Sequence, residues 1–183
     1  MSEIFVLVEH RQGKVRDITY EMLGAADKLA AQHGAALTAV LLGKGVHPFA
    51  EELATRAPKV LVVEDENLEN FNSALYQQAL SSLLSKHRPP LTLIGHTAFG
   101  MDLAPTLSVE IGFPLVTDCI DLSFEGNQLK AVRSIYGGKV NAKVSLKESQ
   151  AYLATLRPGV FGPKMPADTK GGIVVEPSPL QGA

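Results

Sequence analysis

The chain has no tryptophan, and Cys119 is its one cysteine in 183 residues. A lone thiol cannot close an internal disulfide, which fits a reducing compartment. No run of Lys and Arg stands out and the formal net charge is −2, so a phosphate-dominated nucleic-acid binder is not expected. The opening apolar run, Ile4 to Val8, is too short to span a bilayer and has no basic region before it. No membrane insertion is therefore expected, and the reading is cytoplasmic. Also missing are Gly-x-Gly-x-x-Gly, a Walker sequence, and any Cys/His/carboxylate cluster at metal-ligand spacing.

What is present suits one packed domain: hydrophobic residues make up 45% and charged residues 20%. Ile4 to Val8 has the continuous apolar character of a strand covered on both faces. A loop from Glu9 to Arg16 leads to a helix capped by Asp17 and stopped by Gly34, with Ile18, Met22, Ala25, Ala26 and Leu29 on its inner face. Ala35 to Leu42 and Val60 to Val63 are the next strands, separated by a short helix from His47 to Arg56. A long helix runs from about Asn70 to His87, its apolar face being Phe71, Leu75, Ala79, Leu80, Leu83 and Leu84. Pro89-Pro90 ends it before a fourth strand, Leu91 to Ile94. This alternation implies right-handed crossovers and a mainly parallel sheet.

After a helix from Leu103 to Ile111 the pattern changes. Leu115 to Thr117, Leu129 to Ile135 and Lys139 to Leu146 read as strands, the last two antiparallel. From Pro158 onward Pro and Gly are dense, so 162–183 reads as an extended arm or linker with one strand at Gly172 to Glu176.

A ligand of an open parallel sheet sits outside the strands' carboxyl ends, where the strand order reverses. That crevice falls between the first and fourth strands, walled by His10 to Arg16 and by Gly95 to Gly100. Gly95, Thr97 and Gly100 then form a nucleotide cradle before a helix start, or else the two glycines are turn and packing residues. His96 has no metal partner at useful spacing and reads as a solvated or capping histidine. Cys119 lies near Asp118 and Asp121, which disfavours a thiolate. Arg133, Tyr136, Gly137, Gly138 and Lys139 form either a structural turn or a partner contact. Arg157 to Phe161 is poor in secondary structure of its own and gains order by lying against another surface.

Five segments in order carry a family resemblance: Leu93-Ile94-Gly95-His96-Thr97, Gly100-Met101-Asp102-Leu103-Ala104-Pro105, Val116-Thr117-Asp118-Cys119, Tyr136-Gly137-Gly138-Lys139 and Arg157-Pro158-Gly159-Val160-Phe161. Over about residues 3–163 the chain resembles the N-terminal domain of the electron transfer flavoprotein alpha subunit. The resemblance implies a three-layer α/β domain, 1–161, with adenine-nucleotide-hydrolase-like topology, followed by the arm. It implies a beta subunit as partner, for which Arg133, Tyr136, Gly137, Gly138, Arg157 and Phe161 are the candidate contacts. FAD belongs to a carboxyl-terminal domain whose motifs are not in this chain, and AMP or a second flavin to the beta subunit. No tightly bound cofactor and no catalysis are therefore expected of this chain, with acyl-CoA-type or other dehydrogenases as indirect electron donors. Met101 departs from the family, where arginine is usual. The alternatives are a stand-alone nucleotide-binding or sensory module, and a hydrolase using His96.

Overall fold

The computed structural model describes residues 1–180. It opens with strand β1 (Glu3–Leu7), then a tight hairpin, β2 (His10–Arg11) and β3 (Lys14–Val15), inside the expected loop. Gln12 and Gly13 both take positive φ (52° and 73°), as a two-residue hairpin of this twist requires. Helix α1 (Asp17–His33), β4 (Ala36–Gly43), α2 (His47–Leu53), β5 (Lys59–Glu64), α3 (Ser73–His87), β6 (Leu91–Gly95) and α4 (Ala98–Ile111) follow. The remaining strands are β7 (Leu115–Glu125), β8 (Gln128–Ile135), β9 (Val140–Ser145), β10 (Tyr152–Leu156) and β11 (Gly172–Val175).

Nine strands form one sheet in the order β11-β5-β4-β1-β6-β10-β7-β8-β9. It is parallel from β11 to β7, and β8 and β9 add antiparallel neighbours. The continuous apolar runs resolve into two faces. Ile4 and Val6 join Leu37, Ala39, Leu41, Val60 and Val62 under α1 and α2. Phe5 and Leu7 join Val40, Leu42, Leu61 and Val63 under α3 and α4. A strand that buries both faces has no polar position to alternate with, so the chain is a three-layer α/β domain.

Several expectations are corrected. Arg16, not Asp17, is the residue before α1, and no side chain caps that helix. Helix α3 starts at Ser73, capped by Asn72, whose side chain accepts the Leu75 N–H at 3.1 Å. Phe71 therefore precedes the helix and stacks on Phe99 at 3.6 Å between ring centroids, while Tyr76 takes the buried place. Helix α4 begins at Ala98, well before Leu103, and passes through Pro105 on its exposed side. Its cap is Thr97, so Gly100 lies inside the first turn. β7 runs far beyond Thr117, bending where Asp118 adopts φ 57°. A strand the sequence reading did not assign, β10, slots between β6 and β7, parallel to both.

Residues 162–180 are extended and lie along this chain's own surface. The Lys164 N–H bonds Tyr20 O at 2.8 Å, Ala167 N–H bonds Thr55 O at 2.7 Å, and Gly171 N–H bonds Ala54 O at 2.7 Å. β11 then pairs with β5 at the sheet margin, and Leu180 is buried in the core cluster on the α3–α4 side of the sheet. Gly24 of α1 permits this course: a Cβ there would stand 2.2 Å from Gly162 O. The expectation for 181–183 lies outside the described residues.

Candidate functional site

The strand order reverses between β1 and β6, since β4 continues on one side of β1 and β6 lies on the other. A cleft of about 520 Å³ opens there, lined by Glu9, Lys14, Val15, Arg16, Asp17, Ile18, Glu21, Thr97, Pro158 and Gly159. Of the sequence-selected cradle Gly95, Thr97 and Gly100, Thr97 alone lines it. Gly100 faces the Gly95 carbonyl so closely that a Cβ would meet that oxygen at 1.8 Å, and a Cβ on Gly95 would meet Ile18 Cγ1 at 3.0 Å. The pair is a strand-to-helix packing contact. The Thr97 hydroxyl is committed too, donating to Glu9 Oε1 and accepting the Gly100 N–H at 3.4 Å.

The carboxylates dominate the interior of the cleft. Glu9 follows β1 and is 8% exposed; Glu21, in the second turn of α1, is 9% exposed. Burial pushes the Glu9 carboxyl above its ordinary range, against the opposing pull of the Thr97 hydrogen bond and the Arg16 charge. Glu21 Oε1 accepts the Gly159 N–H at 2.8 Å and so ties the end of β10 to α1. Lys14 and Arg16 are exposed on the hairpin beside the opening. Two nearly buried carboxylates make the floor a poor seat for a phosphate.

A second network lies where the carboxyl ends of β6 and β10 meet the bend in β7 at Asp118. Arg157 grips Asp118 through two parallel hydrogen bonds, Nε to Oδ1 at 2.9 Å and Nη2 to Oδ2 at 2.8 Å. The Asp118 carboxyl is thereby held below the usual carboxylate range, helped by the charges of His96 and Arg133. His96 Nδ1 shares a hydrogen bond with Thr155 Oγ1 at 3.0 Å, and that hydroxyl also accepts the Asp118 N–H at 2.9 Å. Thr155 is fully buried. A Thr-His-Asp arrangement is present, but its hydroxyl is occupied by backbone and closed to any substrate. Cys119 is buried as well, and desolvation pushes its thiol up to about 12.

Of the sequence-selected contact residues, Arg133 donates to Thr117 O at 2.8 Å and to Thr117 Oγ1 at 3.2 Å. Phe161 packs partly buried on the α1–α2 side of the core. Tyr136, Gly137 and Gly138 form the β8–β9 turn with φ values of 51°, 64° and 88°, and Tyr136 is 77% exposed. A non-glycine residue held at positive φ with its ring in solvent is unusual and marks a surface feature. Sequence reasoning missed Glu9, Glu21 and the Asp118–Arg157 fork. The signal for Glu9 was available: an acid directly after an apolar strand at the crevice.

The Electron transfer flavoprotein domain profile matches residues 4–180. An electron transfer flavoprotein subunit alpha from Syntrophomonas wolfei subsp. wolfei is 35% identical over 97% of this chain and 54% of its own length. One from Megasphaera elsdenii is 33% identical over 94% of this chain and 52% of its own. Protein FixB of Clostridium saccharobutylicum is 31% identical over 86% of this chain and 48% of its own. The chain thus spans about half the length of the curated relatives it matches. With the domain profile covering nearly every described residue, the chain belongs to the electron transfer flavoprotein domain family.

Proposed function

We propose that this chain is the docking half of an electron transfer flavoprotein assembly, holding a beta-type subunit and supporting a flavin-bearing domain, and passing no electrons alone. The observation that carries this reading is the family match along 4–180 in a chain that aligns with half of relatives named as the alpha subunit. In such an assembly the redox chemistry is the flavin's, and the protein's share is position. FAD, and AMP on the beta-type partner, would then be held outside this chain, with dehydrogenases of the acyl-CoA or another type as donors.

The exposed Tyr136 on its Gly137-Gly138 turn is the natural anchor for that partner. Tyrosines of this kind contribute disproportionately to interfaces, because a rigid ring buries a large area at low entropic cost. Arg133 braces Thr117 and Arg157 braces Asp118 in the neighbouring strand β7, and Phe161 packs on the α1–α2 side of the core.

The test is co-purification with a beta-type subunit and a separately expressed flavin domain, followed by visible flavin absorption. Stable association is expected, weakened about tenfold or more by Tyr136→Ala with thermal stability unchanged. Flavin colour retained by the solitary chain, or no association with any beta-type subunit, would overturn the reading.

A further inference from the structure

Among the described residues two charged side chains are more than nine-tenths buried, Glu9 and Glu21, and both line the cleft between β1 and β6. Three other carboxylates partly withdrawn from solvent have a cation. Glu3 holds Lys59 at 2.9 Å, Glu176 holds His87 at 2.6 Å and Lys86 at 3.1 Å, and Asp118 holds Arg157 at 2.8 Å. Glu9 and Glu21 have no such partner among the ion pairs of the described residues. Each uses its Oε1 on a protein hydrogen bond, from Thr97 and from Gly159, and neither Oε2 has a hydrogen-bond partner among the described residues. Neither Oε2 is sealed from solvent, because the two sealed, unpaired side-chain atoms are Arg56 Nε and Thr92 Oγ1.

A desolvated carboxylate without a countercharge is costly, and two in one cavity more so. Arg16 acts on Glu9 only through space, from an exposed position. The described residues hold no group of three His, Cys, Asp or Glu side chains able to coordinate a metal ion. An organic cation meets the requirement. Val15, Ile18 and Pro158 line the same cleft, as does the exposed Asp17. Apolar lining beside carboxylates suits a methylene stem that ends in a charge.

We propose that this cleft receives a guanidinium or primary ammonium group on an aliphatic stem, held by Glu9 and Glu21. The group comes from a basic side chain of a partner polypeptide or from a free diamine-type molecule. The assignment does not depend on the docking role proposed above.

Calorimetric titration of the full chain with agmatine and with N-acetyl-arginine amide tests it, with AMP as the anionic control. Saturable one-to-one binding of at least one cation is expected, and no binding of AMP. Glu9→Gln and Glu21→Gln keep shape and hydrogen bonding but remove charge, and each should weaken binding about tenfold. Asp17→Asn, at an exposed position, gives a smaller loss and serves if either buried variant fails to fold. Glu125→Gln, remote and exposed, should change nothing. Binding of the capped arginine assigns the source to a partner side chain; binding of agmatine alone assigns it to a free amine. No saturable heat from either cation, binding indifferent to the carboxylate variants, or AMP taking the cleft overturns the proposal.

Discussion

Replacing Gly100 with alanine sets two effects of opposite sign against each other. Gly100 lies inside α4, where helix propensity alone favours alanine by about 1 kcal/mol. The new Cβ, however, would stand 1.8 Å from the Gly95 carbonyl oxygen and 3.0 Å from both the Gly95 carbonyl carbon and Ile94 Cγ2. Relieving this contact needs a displacement on the order of 1 Å between β6 and the first turn of α4. Neither side yields readily. Gly95 is in register with Leu156 of β10, and the helix start is tied down by Thr97 through Glu9. Overpacking of this kind costs roughly 1–3 kcal/mol, and a backbone clash falls at the upper end. After the propensity gain, a net loss of about 2 kcal/mol is expected, which lowers Tm by roughly 4–8 °C in a domain of this size. Equilibrium urea unfolding and a thermal scan measure it directly. Gly162→Ala, where nothing surrounds the added Cβ, is the control and should stay within about 0.5 kcal/mol. An unchanged or raised Tm for Gly100→Ala would refute the packing argument and leave propensity in command.

Three further outcomes are expected. Thr92 is 1% exposed with its hydroxyl unpaired, so Thr92→Val, of the same shape, should stabilise the protein by about 1 kcal/mol in urea; no gain would mean the hydroxyl has a partner. Asp118 has its folded pKa depressed below the unfolded value, chiefly by Arg157. Its contribution is therefore complete above about pH 4 and is lost as pH falls through the folded pKa, so the stability gap between wild type and Asp118→Asn should narrow only in that acid range. A gap of equal size throughout the acid limb would sever the link to that ion pair. Cys119, with its thiol pushed up to about 12 and its side chain buried, should react with a thiol-specific disulfide reagent only at the rate of unfolding. Rapid labelling of the native protein would contradict this.

The legibility of this fold followed the range of the interactions involved. Ile4 to Val8, Val60 to Val63 and Leu91 to Ile94 were readable as strands because burial on both faces leaves unbroken apolar runs, a local signature. Pro89-Pro90 and Gly34 marked helix ends for equally local reasons. The start of α4 was obscured by Gly100, a residue that suggests a loop. Gly100 is there because Gly95 presses against it, and Pro105 is tolerated on the exposed side. The placement of β10 was hidden, since period and composition do not disclose which strands it enters between. At the site, the crevice position followed from the alternation of elements, and Thr97 was selected. Glu9 and Glu21 were overlooked because an acid in sequence carries no mark of being buried. Arg133 and Arg157 were selected as contact residues, but their partners, Thr117 and Asp118, are set by a bend in β7 where a non-glycine residue takes a positive φ.

The late arrival of β10 has a consequence for biosynthesis. Both strands that flank it are made first, so a nascent chain must hold a vacant slot at the heart of its sheet until residues 152–156 emerge. Until then β6 carries a naked row of backbone amides and carbonyls, an invitation to pair with a stranger. A ribosome stalled ahead of Tyr152 would thus release a polypeptide prone to clump, whereas completion of that one strand hides the hazard.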